Sequence, residues 1–137
     1  MASSLLPQSP GFLPYYLIYS GVSAILHSVA CYRLEPARSL QAFSGPARPP
    51  LTGLLARVYA TKNLYTGLIR LYAAYHVADN PQLYDLAACT FAGVLWLYGT
   101  ELAVYGTVRL REASVPFVTA GAGLVWMLVQ RGWYRGL

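Results

Sequence analysis

Charge is scarce in this chain. Only 11% of its 137 residues are Asp, Glu, Lys or Arg, against roughly a quarter in an ordinary soluble domain, and 56% are apolar. That balance argues against a soluble enzyme and excludes intrinsic disorder. Acidic residues are the rarest, five against ten Lys and Arg, which leaves a formal charge of +5. The basic excess stands at the edges of apolar runs or singly within them. It forms no stripe able to track a nucleic-acid backbone, so no nucleic-acid partner is expected. Cysteine is nearly missing too. Cys31 and Cys89 have no Cys or His neighbour at metal spacing, and alternating spans would put them toward opposite sides, too far apart for a disulfide. There is no GxGxxG, no phosphate-binding loop, no pair of spaced histidine clusters and no Ser/His/Asp or Cys/His arrangement. Neither a cofactor nor a metal is expected.

What the chain has is apolar length. Four runs, about 13–32, 53–77, 83–108 and 116–130, alternate with short polar stretches, and the mean hydropathy is +0.41. A run of about 20 residues at 1.5 Å per residue matches a hydrocarbon core of about 30 Å. The expected fold is all-α: one membrane domain over residues 1–137, a four-helix integral membrane bundle. Pro14 suits the first turn of the first helix. Ser28-Val29-Ala30 resembles a signal cleavage site, but the basic segment of a signal peptide is missing and three more runs follow, so the span is expected to stay. Residues 34–52, with Pro36, Gly45, Pro46, Pro49 and Pro50 breaking any helix, read as a loop with a short interfacial turn. The last run starts at the helix-opening Pro116. Twelve Tyr and three Trp, many near run ends, suit interfacial belts, and small residues along the third and fourth runs allow close helix approach. The first and third loops hold Arg33, Arg38, Arg48, Arg57, Arg109 and Arg111. The positive-inside rule therefore puts those loops in the cytosol and both termini in the lumen.

Charges inside the runs are the candidate functional residues. By helical depth, His27, Arg57, Lys62 and Glu101 fall in one layer, and Arg70 falls in the other half of its helix, nearest Asp85. Two readings follow. In the first, Glu101 neutralises Arg57 or Lys62 and fixes helix register, a structural set of Arg57, Arg70 and Glu101. In the second, His27, Lys62 and Glu101 form a catalytic acid and base in a polar pocket for a lipid-like substrate.

Gly11-Phe12-Leu13-Pro14, Ala56-Arg57 with Arg70-Leu71-Tyr72, Glu101-Leu102 with Tyr105-Gly106-Thr107, and Pro116-Phe117-Val118 with Leu124-Val125-Trp126-Met127 and Gln130-Arg131 occur in that order. Together they resemble the fungal ergosterol biosynthetic protein 28 family, from Gly11 to Gly136. The resemblance implies a multi-pass endoplasmic-reticulum membrane protein without its own catalytic activity. It would act as a scaffold for the sterol C-4 demethylation enzymes: the C-4 methyl oxidase, the C-3 sterol dehydrogenase and the 3-keto reductase. Membrane lipid is its other expected partner. Arg57, Arg70 and Glu101 match polar positions of that family's spans. The chain departs from its pattern at four places: His27 for Asn, Ala30 for Gln, Lys62 for Trp and Leu97 for His. Those departures support the alternative of a diverged member in a specialised fungal terpenoid, steroid or polyketide pathway. Such a member would be a scaffold for other enzymes, or an isomerase or cyclase using His27, Lys62 and Glu101.

Overall fold

Helices and their connections make up all of the described residues, 5–137, of the computed structural model, and no strand occurs among them. The first four residues of the expected domain lie outside the described residues. Helix α1 is Leu13–Arg33, with Pro14 in the first turn, where its missing N–H breaks no bond. The connection after it folds into a short helix α2, Pro36–Ser39, and a 3-10 turn, Gln41–Phe43, with Leu40 between them fully buried. Helix α3, Gly53–Ala74, opens on Thr52, whose side-chain oxygen accepts the Leu55 backbone N–H. Helix α4, Pro81–Ala103, opens on Asn80, which accepts from Leu83 in the same way. Each cap satisfies one of the free N–H groups at a helix start. Helix α5 is Leu110–Arg135.

Three boundaries differ from expectation, among them the end of the last run, expected at residue 130 but reached by α5 at Arg135. The third run was expected to continue to residue 108, but α4 stops at Ala103. Beyond it Gly106 takes a φ of +69°, and the Thr107 backbone N–H turns back to the Glu101 carbonyl at 2.9 Å. The fourth run was expected to begin at Pro116, yet α5 starts at Leu110 and carries that proline in its second turn. A proline near a helix start removes only one bond, so the preceding polar residues Arg111, Glu112 and Ser114 stay helical.

The tightest contact joins α1 to α3. A Cβ on Gly67 would stand 2.7 Å from the Gly21 carbonyl oxygen and 2.6 Å from Ile25 Cγ1, and one on Gly21 would stand 3.0 Å from the Gly67 carbonyl. Only glycine at both positions lets the two backbones meet. The buried Ser28 hydroxyl donates to the Ala60 carbonyl at 2.7 Å across the same interface. Helices α4 and α5 form a second pair, tied by the Tyr84 hydroxyl donating to the Met127 carbonyl at 2.5 Å and by Arg131, whose Nε and terminal nitrogen each donate to Asp85 at 2.8 Å.

The two pairs are latched at both ends. At one end Gly45 and Ala47 donate backbone N–H groups to the Thr107 and Gly106 carbonyls at 2.9 Å, and Arg109 donates to Ala42 at 3.0 Å. A side chain on Gly45 would fall on the Gly106 carbonyl. The first and third loops thus share one end, the basic one. At the other end the Tyr134 hydroxyl donates to the Pro10 carbonyl, and Arg135 donates to Val77.

Helices α4 and α5 are each long and apolar enough to cross a membrane, and only 22% of the most apolar stretch of each is buried inside the protein. The core helix of a soluble protein would be mostly buried. Large apolar side chains instead stand on the outside, Trp96 being 74% and Val129 75% exposed. Helices α1 and α3 have similar lengths of 21 and 22 residues but carry more polar residues, among them His27, Lys62 and Arg70.

The glycine contact gives a direct test. Gly67→Val should destabilise the purified protein in detergent by about 1–3 kcal/mol through overpacking, read as a lower thermal midpoint. Gly99→Ala, where an added Cβ meets nothing within 4 Å, should leave the midpoint unchanged or raise it slightly.

Candidate functional site

Between the two helix pairs lies a cavity of about 430 Å³, mostly apolar in its walls. Its size is that of a site for a small organic ligand. Helices α1 and α3 supply the polar wall. On α3, Lys62, Thr66 and Arg70 recur every four residues and so share one face, and on α1 Ser20, Ser23 and His27 do the same at spacings of three and four. The facing wall, from α4 and α5, contains Val94, Val115, Pro116 and Ala120. Tyr19 of α1 and Val115 of α5 both line the cavity and are both exposed, so it opens between these two helices. Their only hydrogen-bonded contact among the described residues is the Tyr16 hydroxyl on the Thr119 carbonyl, where the Tyr16 ring also packs on Trp126 and Phe91.

A chain of hydrogen bonds crosses the polar wall. Lys62 Nζ donates to Asn63 Oδ1 at 3.3 Å, and Asn63 Nδ2 faces His27 Nδ1 at 3.4 Å. His27 Nε2 meets the Ser39 carbonyl at 2.8 Å. The carbonyl can only accept, so the proton sits on Nε2 and Nδ1 accepts from Asn63. Both nitrogens of His27 are therefore engaged, and the ring pins α1 to α2 and α3. Its edge also rests on Tyr59, whose hydroxyl is bonded to that of Tyr98.

Arg70, 5% exposed, is the deepest cation. Its Nε donates to Thr90 Oγ1 at 2.9 Å, and the guanidinium lies over the Phe91 ring at 4.0 Å. Among the described residues its terminal nitrogens have no hydrogen-bond partner, and neither Lys62 nor Arg70 has a carboxylate within 4 Å.

Several expected pairings are thereby corrected. Glu101 does not hold Arg57 or Lys62: its carboxylate accepts the Thr107 hydroxyl at 2.5 Å, and it is not part of the cavity wall. The early end of α4 turns this residue toward its own loop. Arg57 is exposed on the second turn of α3, with its guanidinium beside Gly53. Asp85 pairs with Arg131 rather than Arg70, because Asp85 and Arg131 meet where α4 starts and α5 ends. Of the residues named for a catalytic site, the structure brings His27 and Lys62 together and leaves Glu101 out. The carboxylate in the cavity is Glu112, 3.8 Å from Arg109, which sequence reading had placed in a loop. Asn63 and Thr66 were also missed, although the spacing of Lys62, Thr66 and Arg70 carried the signal. Three of the four departures from the family pattern, His27, Ala30 and Lys62, line the cavity, and Leu97 does not.

The family model described as Erg28 like protein matches residues 13–125. The Ergosterol biosynthetic protein 28 of Candida albicans is 33% identical over 133 residues, covering 96% of this chain and 94% of that protein. The proteins of the same name from Saccharomyces cerevisiae and Gibberella zeae are each 28% identical, covering 98% and 94% of this chain and 90% and 94% of their own lengths. No solved structure matches the chain.

The polar wall separates structural from non-structural side chains. Asn63→Leu should lower the thermal midpoint, costing about 1–3 kcal/mol, because buried partners on His27 and Lys62 are left unmade. Lys62→Met should melt at or above the parent temperature, since it relieves a cation that no carboxylate offsets.

Proposed function

This chain belongs to the Erg28 like protein family, and on that premise we propose that it is a scaffold of the endoplasmic-reticulum membrane that holds the sterol C-4 demethylation enzymes together. The observation that carries this reading is the extent of the similarity. It runs through nearly the whole chain to proteins named for ergosterol biosynthesis, rather than through one local motif.

Two features support a four-span bundle. Helices α1 and α3 pack against helices long and apolar enough to cross, and they turn His27, Lys62 and Arg70 inward to the cavity, as polar residues in a membrane bundle do. The shared end of the first and third loops carries the basic residues, which favours its facing the cytosol. The exposed apolar side chains suit lipid and the spans of partner enzymes, here the C-4 methyl oxidase, the C-3 sterol dehydrogenase and the 3-keto reductase. Tethering raises the effective concentration of each enzyme for an intermediate too apolar to diffuse through water. The isomerase or cyclase alternative is weaker, because Glu101, its acid, is bonded to Thr107 and lies outside the cavity wall.

Expression in a fungal strain lacking its own member of this family, with sterols profiled by mass spectrometry, tests the proposal. Restored ergosterol and disappearance of C-4 methylated and carboxylated intermediates are expected, together with co-purification of the three enzymes. A chain present in the membrane that restores neither ergosterol nor co-purification would refute the scaffold role in this pathway.

A further inference from the structure

We propose that the cavity binds an amphiphile with a single acidic head group, its anionic oxygens between Lys62 and Arg70 and its apolar body against Val94, Val115, Pro116 and Ala120. The cavity alone calls for such a ligand, whatever pathway supplies it.

The cations carry the inference. Lys62 and Arg70 stand one helical turn on either side of Thr66, on the face of α3 that lines the cavity. They repel each other, and no carboxylate comes within ion-pair distance of either. Arg70 is 95% removed from the surface, counting from its 5% exposure, yet its terminal nitrogens have no hydrogen-bond partner among the described residues. A buried cation in that state is costly unless an anion completes it. A carboxylate or phosphate placed between the two would offset both charges and accept from the free guanidinium nitrogens.

The remaining charges agree with that placement. Arg38 adds a third cation to the wall, against the single carboxylate of Glu112. Glu112 is two residues into α5, about 3 Å from the helix start, and Arg109 attends it at 3.8 Å. Arg70 is 17 residues into α3, which starts at the same end and runs parallel to α5, and so lies about 26 Å from that end. The one carboxylate is therefore near the basic end of the cavity, and the deepest cation is far from it. His27 is spent on Asn63 and Ser39 and does not compete for the ligand. The opposite wall offers the head group no counter-charge and gives an apolar body contact along α4 and α5. The opening between α1 and α5, where Tyr19 and Val115 are exposed, admits such a body from the side.

The test uses the full chain in nanodiscs of neutral phosphatidylcholine, titrated with oleic acid and a steroid carboxylic acid, each beside its methyl ester. Saturable binding of at least one acid, at least tenfold tighter than its ester, is expected, with a raised thermal midpoint. Arg70→Met and Lys62→Met, checked for helical content, should each weaken the acid at least tenfold without changing ester binding. Phosphatidate is then added as competitor. Displacement assigns the natural occupant to a phospholipid head group, and failure to displace assigns it to a free carboxylic acid. Both results uphold the anionic site. Esters binding as tightly as acids, no saturable binding of either acid, or undiminished acid binding in either folded variant would overturn it. Because the acid and ester comparison is made on the unaltered chain, the result does not depend on either variant folding.

Discussion

The contact of Gly21 with Gly67 is the constraint on which the rest of the molecule depends. It brings the backbones of α1 and α3 together at the level where neither helix has a side chain, and so fixes how far apart their flanking polar residues stand. At that separation His27 reaches Asn63 and Ser28 reaches the Ala60 carbonyl, while the Lys62, Thr66 and Arg70 face is turned inward. The α4–α5 pair closes over this surface and meets α1 at Tyr16, whose hydroxyl bonds the Thr119 carbonyl and whose ring packs on Phe91 and Trp126. A wide α1–α3 interface would have filled the cavity with side chains from both helices.

The site combines a rigid polar wall with uncompensated charge. Every polar atom of His27 and the amide of Asn63 is used for holding the wall together. The guanidinium of Arg70 is held at Nε and by the Phe91 ring, which orients it while leaving its terminal nitrogens free. Fixing a charged group by its neutral contacts is how a protein keeps a binding group in place before the ligand arrives. Arg suits that role better than Lys, because its planar fork can be held at one nitrogen and present the others.

Much of this was legible in the residues. Apolar run lengths located all four long helices, and the crowding of Pro and Gly after Leu34 located the first connection. Basic residues of the first and third loops correctly pointed to one shared end, which the Gly45–Thr107 pairing realises. Helical depth also grouped His27 with Lys62. What depth cannot provide is rotation about the helix axis, and the Glu101 pairing was lost for that reason. Glu101 was at the right height but on a helix that ends two residues later, where the Thr107 hydroxyl is nearer than any cation. Pro116 hid Glu112 for a different reason: proline suits a helix start, so the preceding polar residues were read as loop, whereas α5 carries it in its second turn at the loss of one backbone bond. Asp85 was paired by depth with Arg70 because the partner it meets, Arg131, comes from a helix that had been drawn too short.

The loop pairing at the basic end has a consequence for how the molecule is made. Gly45 and Thr107 are joined by two backbone hydrogen bonds with their neighbours, yet more than sixty residues separate them along the chain. During synthesis the α1–α3 hairpin, with its inward cations, is complete long before the segment that latches it exists. Until α4 has been made, the cationic face of α3 has no apolar wall opposite and must be sheltered by water, by lipid head groups or by the translocation machinery. Closure of the cavity therefore waits for residues 104–109 and for the α5 residues that follow them, whatever the strength of the α1–α3 contact.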